Sequence, residues 1–130
     1  QKVQFVEQDK DIRKTISRFN PFSHSTTMIR KTAFTKIGGY NKNFEYSQDY
    51  DLWIRLLNVG EASILKEELV VARLAEQSTS YENRRKQKFE GLQIRWQAFK
   101  QFGGNPGAAL YYFLKSIAGL IYPSKNHLKR

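Results

Sequence analysis

The segment that most constrains this chain is Ser47-Gln48-Asp49-Tyr50-Asp51-Leu52-Trp53-Ile54-Arg55-Leu56-Leu57. Leu52, Trp53, Leu56 and Leu57 recur at the spacing of one apolar helix face, so the segment must pack against a core. Ser47 stands where an N-cap side-chain oxygen would accept from a free backbone N–H. Asp49 and Asp51 follow in the first turn, where the helix dipole favours negative charge. Asp49 precedes Leu52 by three residues and Trp53 by four, which places it at the top of the buried stripe. Asp51 is about 200° further round and faces elsewhere. A carboxylate at the buried edge of a helix start is a candidate for acid/base chemistry. Matching of charge to the helix N-terminus is the structural alternative.

With 130 residues, 40% hydrophobic and 14% aromatic, the chain suits one modest folded core and not a disordered segment. The absence of cysteine excludes disulfides and thiolate metal sites and accords with a reducing compartment. Two histidines, His24 and His127, are too few and too far apart for a histidine-based metal site. No signal peptide is visible, and a start at Gln1 reads as part of something longer. The net charge of +10 is uneven: residues 83–130 hold ten bases against one acid, Glu90, and the first 82 hold twelve against eleven. Such asymmetry predicts that the C-terminal third meets an anionic surface, either nucleic acid or lipid.

Along the chain, an entry strand gives way to a short helix over 9–18, and Asn20-Pro21 marks a turn. Residues 23–30 are rich in hydroxyl and β-branched side chains and read as a strand lining a cleft. His24 there either meets an anionic ligand or is structural. A short helix over 31–37 ends at Gly38-Gly39, where Gly38 suits the left-handed C′ position. Residues 40–46 form a polar, aromatic loop that leads into the Asp49 helix, and Asn58-Val59-Gly60 closes that helix. Strands are expected over 62–65 and 69–74, around the turn Lys66-Glu67-Glu68.

The longest helical pattern covers 79–102, with Phe89, Leu92, Trp96 and Phe99 as a narrow apolar seam. Gly103-Gly104 breaks it, and Asn105 and Pro106 supply a cap and first position for another helix. Residues 108–122 are almost wholly apolar but carry Lys115 and fall short of the about 20 needed to span a bilayer. They read either as an interfacial helix or as one that packs on further protein. In the interfacial case Tyr111, Tyr112 and Tyr122 lie at headgroup depth and the basic residues 124–130 on anionic lipid.

No phosphate-binding or dinucleotide glycine motif is present, no serine has the surroundings of a nucleophile elbow, and no helix carries a metal-binding histidine pair. Acid/base work by one carboxylate, beside aromatic and polar cleft residues, is what these exclusions leave.

Three blocks then fall in a telling order: Asn20-Pro-Phe-Ser-His-Ser-Thr-Thr-Met-Ile-Arg-Lys, Ile37-Gly-Gly-Tyr-Asn, and Gln48-Asp-Tyr-Asp-Leu-Trp-Ile-Arg-Leu. With Leu69-Val-Val-Ala-Arg73 and the basic helical tail, this order resembles the second half of family 2 glycosyltransferases, over roughly residues 20–102. The resemblance implies a GT-A fold, hence an α/β class (α+β for this portion alone), and transfer of a sugar from a nucleotide sugar with inversion. It divides the chain into an acceptor-side part, 1–78, and a basic helical extension, 79–130. It makes Asp49 the general base that deprotonates the acceptor hydroxyl. Gln48 stands where the family has a preceding acid.

The same resemblance places Gly38, Gly39 and Tyr40 in an acceptor-side loop and His24 and Ser25 in a strand facing the cleft. Trp53 would wall the acceptor pocket or pack beneath it, and Arg73 would contact the diphosphate or order a loop. Where relatives often carry a histidine two positions beyond that arginine, this chain has Ala75. Gln93-Ile94-Arg95-Trp96 is one residue short of the Q-x-x-R-W signature of processive synthases, so no polymerase is inferred. The family's divalent metal, Mg or Mn, has no ligands here: Asp9/Asp11 precede the matching block and Asp49/Asp51 belong to the base motif.

The resemblance also implies that the nucleotide-binding half lies outside this chain, so that the portion alone is inactive. Its partners would be a nucleotide-sugar donor bound by that other half and a saccharide, lipopolysaccharide or lipid-linked acceptor; the residues 105–130 themselves, read as interfacial, add an anionic membrane surface. Nucleic acid is not among them. A cytoplasmic location follows, with peripheral attachment to the inner face of the plasma membrane as an option. The alternatives are a non-catalytic basic module that binds anionic membrane or nucleic acid, and a degenerate pseudo-glycosyltransferase, to which Gln48 and Ala75 point.

Overall fold

The computed structural model describes residues 7–71 and 83–121. In chain order these form α1 (Asp9–Ile16), a 3-10 turn (His24–Thr26), α2 (Lys31–Lys36), α3 (Gln48–Leu57), α4 (Arg84–Phe102) and α5 (Pro106–Ile121). Helix α3 is the pivot. Tyr50, Leu52, Trp53, Ile54 and Leu57 are buried in it, and so is Asp51. A single apolar stripe had been expected; instead α3 is covered on several sides, and Leu56 of the expected stripe is only half-buried.

Around α3 the core gathers Ile12 and Ile16 of α1, Phe44 of the preceding loop, and Ile94 and Ala98 of α4. Each fully buried Ile or Leu contributes about 1.5–3 kcal/mol relative to exposure. The Tyr50 hydroxyl donates to the Ile16 carbonyl, tying α3 to α1. Burial raises the Tyr50 pKa and nearby Arg95 opposes that shift, so the phenol stays protonated and keeps donating.

Helix α4 turns Ile94 and Ala98, which lie outside the expected seam, to this core. Of the seam, Leu92 is buried beside α5, whereas Phe89 and Trp96 are more than half exposed. Ala98 is fully buried against the core, and Phe89, Trp96 and Phe99 are left facing α5. Gly103-Gly104 ends α4 with positive φ at both residues. A Cβ on Gly104 would lie 3.1 Å from Ser17 Oγ, so the turn also needs glycine for its close approach to α1. Asn105 caps α5 as its sequence indicates, its Oδ1 accepting from the Gly107 and Ala108 N–H groups at 2.9 and 3.2 Å.

No strand occurs among the described residues. Residues 23–30, expected as a strand, begin instead with the 3-10 turn. The Thr26 and Thr27 hydroxyls donate to the Ser23 and His24 carbonyls at 2.9 and 2.8 Å, and this local bonding coils the backbone. Residues 62–65 run without helix or ladder, the Ile64 N–H donating to the Glu7 carbonyl at 3.1 Å. Residues 69–71 carry no strand either, and 72–74 lie outside the described residues, as do 79–82 of the expected long helix and the 78/79 division. The α/β expectation therefore rests on segments outside those described.

Candidate functional site

Asp49 is the second residue of α3, and its Oδ2 accepts from Asn20 Nδ2 at 3.1 Å. The Oδ1 of Asn20 accepts the Phe22 N–H at 3.1 Å, an Asx turn that fixes the amide beside α3. This turn delivers Phe22 and His24 to Trp53, with ring centroids 5.3 and 5.9 Å away. His24 also meets Tyr40 edge-on, its Nε2 2.7 Å from the Tyr40 hydroxyl oxygen. Phe34 lies against the same tyrosine, the ring centroids 5.4 Å apart. The outcome is an aromatic wall of Phe22, His24, Phe34 and Tyr40, with Asp49 one helical turn from Trp53 beneath it.

The Gly38-Gly39 turn holds Tyr40 in that wall. The Gly38 and Gly39 N–H groups donate to the Thr35 and Phe34 carbonyls, a paired closure of α2 that needs the left-handed φ of +77° and +71° found there. Arg55 braces the turn from α3, its Nη1 donating to the Ile37 carbonyl at 3.1 Å and the Gly39 carbonyl at 2.7 Å. Asp51 in turn accepts from Arg55 Nε at 2.7 Å. Asp51 is thus the buried carboxylate, at 4% exposure, and Asp49 is half-buried. That reverses the order expected from the helical stripe: the Arg55 partnership draws Asp51 inward, and Asp49 stays open at the rim.

Ser47 does not cap α3 with its side chain. Its hydroxyl donates to the Gln87 carbonyl at 3.1 Å. The N–H groups of Glu45, Tyr46 and Ser47 converge on the Glu90 carboxylate at 3.0, 2.9 and 2.8 Å. The single acid of the C-terminal third therefore anchors the loop that leads into α3.

His24, Tyr40 and Trp53 are brought together as a wall, and Asp49 is joined to the turn that leads into it through Asn20. Gly38 and Gly39 shape the adjoining turn. Ser25 and Gln48 are exposed nearby, and Arg73 and Ala75 lie outside the described residues. Trp53, at 4% exposure, underlies the wall, and its Nε1–H has no partner among the described residues. Asn20, Arg55 and Glu90 were not expected to have roles. The Asn-Pro turn and the i,i+4 spacing of Asp51 and Arg55 were the signals for the first two. Glu90 offered only its isolation.

Chemically, the half-buried carboxylate accepts from Asn20 through one oxygen and keeps lone pairs for a ligand hydroxyl. Beside it, ring faces and polar edges alternate, as suits a saccharide with C–H faces and hydroxyl rims. Among the described residues no three acidic or histidine side chains converge to hold a metal ion. A cavity of about 740 Å³ lies elsewhere, between α4 and α5.

Comparison with known proteins decides the general class. The chain is 31% identical over 103 residues to an uncharacterized glycosyltransferase of Rickettsia typhi, covering 73% of this chain and 31% of that protein. It is 45% identical over 47 residues to the O-antigen biosynthesis glycosyltransferase WbnJ of Escherichia coli, covering 36% of this chain and 18% of that protein. This chain is related to glycosyltransferases. It spans less than a third of the length of either relative. No protein-family model matches it, and no solved structure does so significantly.

Proposed function

We propose that this chain is the acceptor side of an inverting, family 2-like glycosyltransferase of GT-A fold, with Asp49 as the general base. The observation that carries the reading is the Asp49 carboxylate, oriented by Asn20 at the start of α3 beside the His24–Tyr40 wall over Trp53. The relationship to two glycosyltransferases supports it, and the name of one of them places that protein in O-antigen biosynthesis. We take the acceptor to be a surface-polysaccharide or lipid-linked saccharide.

In this reading the acceptor sugar lies on the aromatic wall with one hydroxyl at Asp49. The carboxylate takes that hydroxyl's proton as its oxygen attacks the anomeric carbon of the donor, and the nucleoside diphosphate departs from the opposite face with its bonding electrons. Asn20 fixes the carboxylate's orientation. Donor binding falls to sequence outside this chain, so the portion alone is inactive and no step is routed through a metal.

The test is Asp49→Asn in the full-length enzyme, which keeps the Asn20 contact and removes the base. Turnover is expected to fall by about 10²–10⁴-fold, with nucleotide-sugar binding by calorimetry nearly unchanged. Undiminished turnover would remove Asp49 from the role.

A further inference from the structure

The seam that faces away from the core forms one side of a groove. Phe89, Leu92, Trp96 and Phe99 of α4 oppose Leu110 and Phe113 of α5 across the cavity of about 740 Å³. That volume lies within the about 300–1,000 Å³ usual for ligand sites. Phe89, Trp96 and Leu110 are each 55–58% exposed, so large apolar side chains are held open to solvent. One bond links the two helices beside the groove: Arg95 donates to Ser116 Oγ, whose own hydroxyl donates within α5 to the Tyr112 carbonyl.

Charge says what fits there. Over 83–121 the chain has seven bases and one acid, and that acid, Glu90, is engaged by three backbone N–H groups. Helical spacing sets Arg85 one turn before Phe89 and Lys100 one turn after Trp96, so exposed cations stand at both ends of the apolar face. A ligand for this surface is apolar along its body and anionic at its head. Two facing walls of aromatic and aliphatic carbon would leave the polar edges of nucleic-acid bases unpaired. No helix among the described residues is long and apolar enough to cross a membrane.

We propose that the α4–α5 groove docks the protein on an anionic phospholipid surface, with acyl chains entering between Trp96 and Leu110 and phosphates meeting Arg85 and Lys100. The surface involves both helices and not the last helix with its basic tail alone. It does not rest on the glycosyl-transfer reading.

Trp96 lies at the groove and Trp53 in the core, so the difference in emission between wild type and Trp96→Phe reports on the groove. The full-length protein is titrated with vesicles of phosphatidylglycerol and phosphatidylcholine, and with phosphatidylcholine alone. On the anionic vesicles tryptophan emission should shift to the blue and be quenched by acyl-chain-brominated lipid. In Trp96→Phe that signal should vanish while co-sedimentation persists. The double variant Leu110→Ser/Phe113→Ser should bind on the order of tenfold more weakly. Arg85→Ala and Lys100→Ala should each lose about fivefold on anionic vesicles only. Circular dichroism establishes that every variant is folded, and Phe89→Ser replaces any that is not. Equal binding to both vesicle types, absence of quenching by the brominated lipid, or full binding by the folded groove variants would overturn the proposal. So would competition by RNA for the same surface. Sugar transfer is not read in any arm, so failure here leaves the Asp49 assignment untouched.

Discussion

Asp49 and Asp51 are two residues apart and are held by different chemistry. Asp49 receives one amide hydrogen bond and stays half-buried, a state in which loss of the carboxylate costs folding little. Asp51 is nearly enclosed and bears the Arg55 guanidinium that ties two loop carbonyls to α3. Removing one partner of such a pair strands the other. Asp51→Asn is therefore expected to lower stability by about 3 kcal/mol in urea unfolding and to loosen Tyr40, whereas Asp49→Asn should unfold close to wild type. The i,i+4 spacing made the Asp51–Arg55 contact legible. That Arg55 continues to Ile37 and Gly39 was not, because it depends on α2 ending beside α3.

At the scale of elements, α4 carries the clearest lesson. Its largest apolar side chains mark one seam, and periodicity cannot tell which of two faces meets the core. The face turned to the core carries Ile94 and Ala98, both fully buried, and not the large aromatic side chains. Glu90 lies next to that face and gathers three N–H groups ahead of α3. Glu90→Ala should destabilise by about 2–3 kcal/mol, seen as an earlier urea midpoint and faster amide exchange at 45–47. Glu90→Gln, which keeps an acceptor oxygen without the charge, should cost about 1 kcal/mol. Helix ends were read well where a local device sets them, as at Gly38-Gly39 and Asn105-Pro106. The segment 23–30 was misread because its threonines bond to nearby carbonyls and not across a sheet.

Across the whole molecule, α1 is stapled to the segment after α3 by a polar pair. Asp9 accepts from Arg13 at 2.5 Å and from the Ala62 N–H at 3.0 Å, and Arg13 donates to the Gly60 carbonyl at 2.9 Å. The Arg13 hydrogen bond holds the Asp9 pKa below its ordinary value; burial opposes this and the Ala62 bond assists it. The unfolded chain therefore binds this proton more readily than the native one. The stabilisation is complete above the unfolded value of about 3.9 and is lost as pH falls through the lower native value. Asp9→Asn should accordingly melt earlier than wild type at neutral pH, by about 1 kcal/mol, with the two melting curves converging on acidification below about pH 3.9. The sequence by itself determined the helix at 48–57, the glycine closure of α2 and the capped start of α5, because each is written in residues within a turn or two of one another. Which aspartate is buried, which face of α4 is inward and where Asn20, Arg55 and Glu90 reach were decided only by the tertiary structure. Those outcomes depend on contacts between residues 16 to 45 positions apart, whose geometry no local spacing encodes.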